Sequence, residues 1–123
     1  WSKFILFCAG SGVTAGARCR MGSVQATPAL WSVYEALVDE GLAVAKAKGI
    51  PLPETTRQRL LEVGRGFPVE ARTSTAHDLE DGKSLEIDWT LGALLREGAA
   101  LDVPTPTAQA LYGILAPWKD GTP

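Results

Sequence analysis

Cysteine and histidine are scarce in this 123-residue chain: Cys8, Cys19 and His77 are all there is. Two thiols, distant from any histidine or second pair, make no zinc site. A lone imidazole has no partner to orient it for acid–base work, and no Ser/His/Asp set is visible. Asp78, Glu80 and Asp81 beside it lack the spacing of a cation loop and read as a solvated face. No run of eighteen apolar residues is present, so no membrane-spanning helix is expected. Lys and Arg are dispersed, aromatics are few and the net charge is −2, which argues against nucleic acid as a partner. There is no P-loop and no G-x-G-x-x-G fingerprint; Gly10-Ser11-Gly12 is not followed by a third glycine. With cysteines this few, a reducing, cytoplasmic setting is the default.

What is present describes helices. The length suits one domain, and the chain is apolar enough for a core. No segment alternates with a period of two, and there is no repeat and no dividing linker, so the expected class is all-α with about six helices. Trp1 to about Val13 is apolar on most sides, and its small residues (Ala9, Gly10, Ser11, Gly12) favour a helix approached closely by another backbone. Met21–Ala26 reads as a turn or one loose helical turn. Thr27-Pro28 starts a long helix, ended by Gly49, with the stripe Leu30, Tyr34, Leu37, Val38, Gly41, Leu42, Ala45. Trp31 falls near the stripe's edge, available to another domain. A third helix begins near Pro53 and carries Leu60, Leu61 and Val63, with Gly64 and Gly66 as stops. Thr105-Pro106 starts the last helix, whose core face is Ala108, Leu111, Tyr112, Ile114 and Leu115. That helix frays near Trp118, and residues 120–123 are expected to be mobile.

The stretch Thr73 to Gly92 reads as two short helices meeting at a corner. Gly82 stops the first in a left-handed turn, and Ser84 caps the second, whose core face is Ile87, Leu91, Leu94 and Leu95, with Gly98 as a candidate stop. Such a hairpin can bring Ser74 and Glu86 to one side of a cleft, a hydroxyl and a carboxylate converging on a small polar ligand. From spacing alone the simpler reading is structural: Ser74 opens a helix, and Glu86 is a first-turn acid favoured by the helix dipole. Lys3, the only charge in the first helix, reads in the same terms as a snorkelling lysine at a helix end.

The chain begins with Trp1 rather than Met, as a piece of something longer would. Lys3, FILFCAG and then Ala15-Gly16-Ala17 imitate a secretory signal, but a signal needs an initiator Met and a free n-region.

Several segments together carry a resemblance. Trp1-Ser2-Lys3 before an apolar helix resembles the start of the C-terminal helical domain of the ketopantoate reductase (2-dehydropantoate 2-reductase) family. Ser74 and Asp78, then Gly82-Lys83, then Glu86-Ile87-Asp88 and Gly92, follow that family's spacing. Val103-Pro104-Thr105-Pro106 with Leu111-Tyr112 resembles its closing motif, and Glu40 and Gly49 fit the pattern. The resemblance runs through nearly the whole chain in order. It implies a helical fold of the 6-phosphogluconate dehydrogenase type and a single substrate-binding domain over residues 1–123. An N-terminal Rossmann domain, absent from this chain, would bind NADPH. The implied reaction is reduction of a 2-oxo acid, as ketopantoate is reduced to pantoate in pantothenate biosynthesis.

Carried over by position, Lys3 is the implied general acid on the 2-keto oxygen, where an ammonium stabilises developing negative charge and supplies a proton. Ser74 and Glu86 are the implied pair for the substrate's polar groups. The departures are Phe7 and Ser11, where the family has asparagines facing the substrate, and Thr75, where it prefers Met. Ser11 still donates a hydrogen bond; Phe7 makes the pocket more apolar. A homodimer is compatible with such a domain. Two rivals stand beside this reading. One is a non-catalytic helical module kept for dimerisation or binding. The other is a secreted helical domain, which requires a Cys8–Cys19 bridge.

Overall fold

The computed structural model describes residues Trp1 to Pro123. Seven α-helices follow one another: α1 (Ser2–Gly16), α2 (Met21–Ala26), α3 (Pro28–Lys48), α4 (Thr56–Gly66), α5 (Ser74–Glu80), α6 (Leu91–Ala100) and α7 (Pro106–Leu115). Two 3₁₀ turns, Ile87–Trp89 and Ala116–Trp118, complete the secondary structure, and there is no strand. The expected all-α class holds, with Met21–Ala26 a helix in its own right. No helix is long and apolar enough to cross a membrane.

α1 and α3 form the centre. Their contact is close because α3 offers Gly41 to Ile5: a Cβ there would lie 2.8 Å from Ile5 Cγ1. From the other side, a Cβ on Gly12 of α1 would stand 3.1 Å from Leu37 Cδ1. The small residues of α1 therefore serve packing, as their number suggested. α5 and α7 lie against α1, α2 and α4 against α3, and α6 against α7. Ile5, Leu37, Leu91 and Leu94 are fully buried, each contributing roughly 1.5–3 kcal/mol by burial.

The helix ends follow local chemistry where glycine is available. Gly49 (φ 81°) and Gly82 (φ 70°) take the left-handed conformation after α3 and α5. At each, two amides turn back onto the last carbonyls: Ile50 N–H to Ala45 at 2.9 Å, Lys83 N–H to Asp78 at 2.8 Å.

Several sequence expectations give way to tertiary structure. Trp31 is not an edge residue: it is buried, stacked on Tyr34 with centroids 4.8 Å apart, and covered by the Arg65 guanidinium at 3.8 Å. Gly64 does not stop α4, which runs on to Gly66. It makes room for Tyr34, whose ring carbon Cζ would lie 2.7 Å from an added Cβ and whose hydroxyl donates to the Leu60 carbonyl at 3.0 Å. α4 starts at Thr56 rather than near Pro53, and Val63 and Ile114 point to solvent. Gly98 lies inside α6, pressed against Thr105.

Ser84 departs furthest from its expected role. It caps no helix; it pairs with Asp120 in an isolated antiparallel bridge, next to a bond from Leu85 N–H to the Lys119 carbonyl at 2.8 Å. The second helix of the expected hairpin thus begins at Leu91, and the tail expected to be mobile is tied down at Asp120. Both thiols are free, so the bridge that a secreted reading requires is not formed; burial pushes the Cys8 thiol up to about 12.

Candidate functional site

Lys3, Phe7 and Ser11 stand on one face of α1, one turn apart, so each step rises roughly 6 Å. The face sinks as it runs. Lys3 is exposed, Phe7 is 53% exposed, Ser11 6% and Thr14 fully buried. What covers its deeper end is the segment between α4 and α5.

That segment is placed by the start of α2. A helix leaves its first amides without intrahelical partners. Here Met21 N–H donates to the Ala71 carbonyl at 2.8 Å and Gly22 N–H to Val69 at 2.9 Å. Arg20 Nη1 donates to Glu70 at 2.9 Å, and Gln25 Nε2 reaches the Phe67 carbonyl at 2.9 Å. Residues 67–71 are thereby held against α2.

α5 then starts at Ser74 with Thr73 as its cap. Thr73 Oγ1 accepts from Ala76 N–H at 3.3 Å and lies 2.9 Å from Thr14 Oγ1, which donates to the Gly10 carbonyl at 2.7 Å. The Thr14 proton is committed to Gly10, so the Thr73 hydroxyl donates to Thr14. A relay of three hydrogen bonds pins the head of α5 to the middle of α1. Gly10 faces this junction, and a Cβ there would meet Thr73 Cγ2 at an ordinary contact distance of 3.6 Å.

Between these walls lies a pocket of about 180 Å³. α1 gives it Phe7, Gly10 and Ser11; the facing segment gives Phe67, Ala71 and Ser74. Met21 adds to its apolar surface. Its volume is below the roughly 300–1,000 Å³ of a complete small-molecule site. The Ser11 and Ser74 hydroxyls are its uncommitted polar groups, since Thr73's is used by the relay.

The structure brings Ser11 and Ser74 into one pocket. Lys3 is outside its lining, beyond Phe7 on the same face, and takes part in none of the chain's ion pairs. Trp1 and Phe4, edge to face at 5.1 Å, buttress the turn that carries it. Glu86 is also outside the lining and is exposed, just before the 3₁₀ turn. Its carboxylate has no ion-pair partner; only its carbonyl is engaged, by Trp89 N–H at 3.3 Å and Thr90 Oγ1 at 3.4 Å. Thr75 is buried in α5.

The residues around Glu86 are clamped from the C-terminal side. Tyr112 Oη donates to Asp88 Oδ1 at 2.7 Å, Lys119 Nζ pairs with Asp88 Oδ2 at 3.3 Å, and Arg96 donates to the Asp88 carbonyl at 2.9 Å. These bonds, Tyr112's first and Lys119's next, hold the Asp88 carboxyl below its usual range. The same bond to Asp88 pushes the Tyr112 phenol up, and Asp88 pushes the Lys119 ammonium up. The Glu86-Ile87-Asp88 and Leu111-Tyr112 segments therefore meet physically.

Sequence reasoning missed the Thr14–Thr73 relay and the wall at Phe67 and Ala71. Thr73 was legible as a helix-start residue; nothing in the periodicity marked Thr14. A second pocket of about 240 Å³ lies behind Thr14, lined by Arg18, Cys19, Arg72 and Glu80. Its charges are engaged already: Arg72 with Glu80 and His77, Arg18 over the Trp118 ring at 4.6 Å. No cluster of His, Cys, Asp or Glu fit to hold a metal ion is formed.

Comparison with known proteins adds the following. The family described as ketopantoate reductase PanE/ApbA C terminal matches residues 1–119. The 2-dehydropantoate 2-reductase of Archaeoglobus fulgidus is 27% identical over 98% of this chain and 40% of its own length. The enzyme of the same name from Mycobacterium tuberculosis is 31% identical over 98% of this chain and 40% of its own. Among solved structures, the dimeric ketopantoate reductase from Staphylococcus aureus superposes with a TM-score of 0.90 at 24% identity, covering 97% of this chain and 42% of that one. The chain spans about 40% of the length of these curated relatives. On the match over residues 1–119, it belongs to the ketopantoate reductase family, in the part described as its C terminal.

Proposed function

We propose that residues 1–123 form the substrate-binding domain of a two-domain, NADPH-dependent reductase of 2-oxo acids. The observation that carries this is the α1 face: Ser11 and Ser74 line one pocket, and an exposed, unpaired Lys3 stands on the same face one turn before Phe7, which lines it. The pocket is partial, as one wall of an interdomain cleft is. The chain offers the nucleotide no cradle of its own: it has no strand, hence no βα turn to hold a pyrophosphate. The relatives' greater length leaves room for the Rossmann domain that would hold it. When bound there, NADPH supplies the hydride that becomes the C2–H of a 2-hydroxy acid and leaves as NADP⁺.

This chain's residues supply the rest. Lys3 Nζ hydrogen-bonds the 2-keto oxygen, stabilises its growing negative charge and gives it a proton. Ser74 Oγ, at the head of α5, donates to the substrate's carboxylate. Glu86, exposed outside the pocket lining at the head of the clamped segment, is assigned the substrate's remaining polar group. Phe7 and Ser11 face what remains of the substrate. The 2-oxo acid is ketopantoate or an analogue of it.

In the complete protein that carries this chain, Lys3→Ala is expected to lower kcat by about 10²–10⁴, with unchanged circular dichroism and NADPH affinity. Lys3 is exposed and unpaired, so stability should shift by less than about 0.5 kcal/mol. Undiminished turnover would remove Lys3 from the mechanism. A second reading, a non-catalytic module kept for association, draws on the exposure of Phe7 (53%) and Trp89 (75%). A folded, NADPH-binding protein with no turnover on any 2-oxo acid would favour it.

A further inference from the structure

The pocket beside Lys3 is unequal in its chemistry. Resting on the reading above, Lys3 and Ser74 take the keto oxygen and the carboxylate. The substrate's side chain is then left to the part inward of the Phe7 ring, between Gly10 of α1 and Phe67 and Ala71 of the facing segment. Those groups offer no hydrogen bond. Thr73 also lines the pocket, but its hydroxyl already donates to Thr14 and accepts from Ala76. Met21 is a thioether, a weak acceptor at best. One hydroxyl remains, that of Ser11, 6% exposed and a full turn beyond the Phe7 ring.

We propose that this pocket selects a 2-oxo acid with a wholly apolar side chain, and that Phe7 is the residue that sets the preference. A hydroxyl carried into the pocket exchanges water for the Phe7 and Phe67 rings and the Ala71 methyl, and loses more than a lone Ser11 returns. A methyl in the same place gains from the transfer. Phe7 is half exposed in this chain, so its ring closes the pocket's mouth without supporting the core. Changing it therefore alters preference and leaves the fold in place.

The test compares two acids that differ in one group. Ketopantoate carries a hydroxymethyl where 3,3-dimethyl-2-oxobutanoate carries a methyl. With the complete protein and NADPH, the methyl compound is expected to show the higher kcat/KM, by about 10- to 100-fold, the range over which an apolar pocket disfavours an added hydroxyl. The difference should lie mainly in KM, because the reacting carbonyl is the same. Phe7→Asn, which places an amide at the mouth, should shrink or reverse the ratio by at least about tenfold while Tm is held. Equal or better turnover of ketopantoate by the unmodified protein would overturn the preference and leave the reductase reading standing. A ratio unmoved by Phe7→Asn would overturn the role of Phe7. Turnover of neither acid, nor of any other 2-oxo acid, by a folded, NADPH-bound protein would remove the reductase reading, and this inference with it.

Discussion

Asp102 takes φ 56°, a left-handed conformation, at the end of α6. Its own amide turns back to Ala99 at 3.4 Å and that of Val103 to Gly98 at 2.8 Å, the same pair of bonds made around Gly49 and Gly82. A side chain in that region is strained by about 1 kcal/mol or more; glycine is not. Asp102→Gly should therefore stabilise the fold by about 0.5–1 kcal/mol, part of the relief being offset by a freer unfolded chain. A higher urea midpoint at unchanged slope is the expected result. Thr73 runs the other way. Its hydroxyl caps α5 and holds Thr14, so Thr73→Ala should cost about 1–2 kcal/mol. Thr73→Ser keeps the hydroxyl and should recover most of that loss. A Thr73→Ala protein as stable as the parent would mean that the relay contributes nothing.

At the scale of elements, α7 shows why some helix starts were readable and others were not. Thr105-Pro106 announced it, correctly, because proline at a first helical position is a local signal. Yet Thr105 makes no side-chain cap. The free amides of Thr107 and Ala108 are taken instead by the Glu40 carboxylate of α3, at 3.1 and 3.0 Å. A negative charge at a helix N-terminus serves the dipole as well as the amides. Glu40→Ala should cost about 1–2 kcal/mol and speed hydrogen exchange at Thr107 and Ala108, with the start of α5 unaffected. The ends of α3 were legible for the same reason as the start of α7: Thr27-Pro28 and Gly49 act within a few residues. Gly64 misled because its role depends on Tyr34, thirty positions away. Ser84 misled because a serine before an apolar run looks like a cap, and only the bridge to Asp120 gives it another partner. Ile114 satisfied the helical period of α7 but lies where no other helix covers it.

At the scale of the molecule, the residues of the candidate site hang on two separate supports. Ser11 and Ser74 share a pocket because α2 holds residues 67–71 and Thr14 holds Thr73. Local patterns placed both serines on helices, and the resemblance named them, but neither could show the segment that joins them. Glu86 depends on the other support, the Tyr112–Asp88–Lys119 clamp and the bond from Leu85 to Lys119. That clamp has a pH window. Asp88's folded pKa is depressed, so the carboxylate's contribution is present above its unfolded pKa and is lost as pH falls through the folded one. Tyr112 is raised by the same bond, so its share is present below the unfolded phenol pKa and is lost as pH rises through the folded value. Acid should therefore loosen the Glu86 segment before it touches the Ser74 pocket, whose hydrogen bonds contain no titrating group. The expected result, below the usual carboxylate range, is loss of exchange protection at Leu85 and a change in Trp89 fluorescence, while Ala76 and His77 amides stay protected. Tyr112→Phe should let the Asp88 carboxyl climb back towards its ordinary value and move that loosening to higher pH. If the Leu85 and Ala76 amides lost protection together at one pH in both proteins, the two supports would be a single cooperative unit and the separation drawn here would fail.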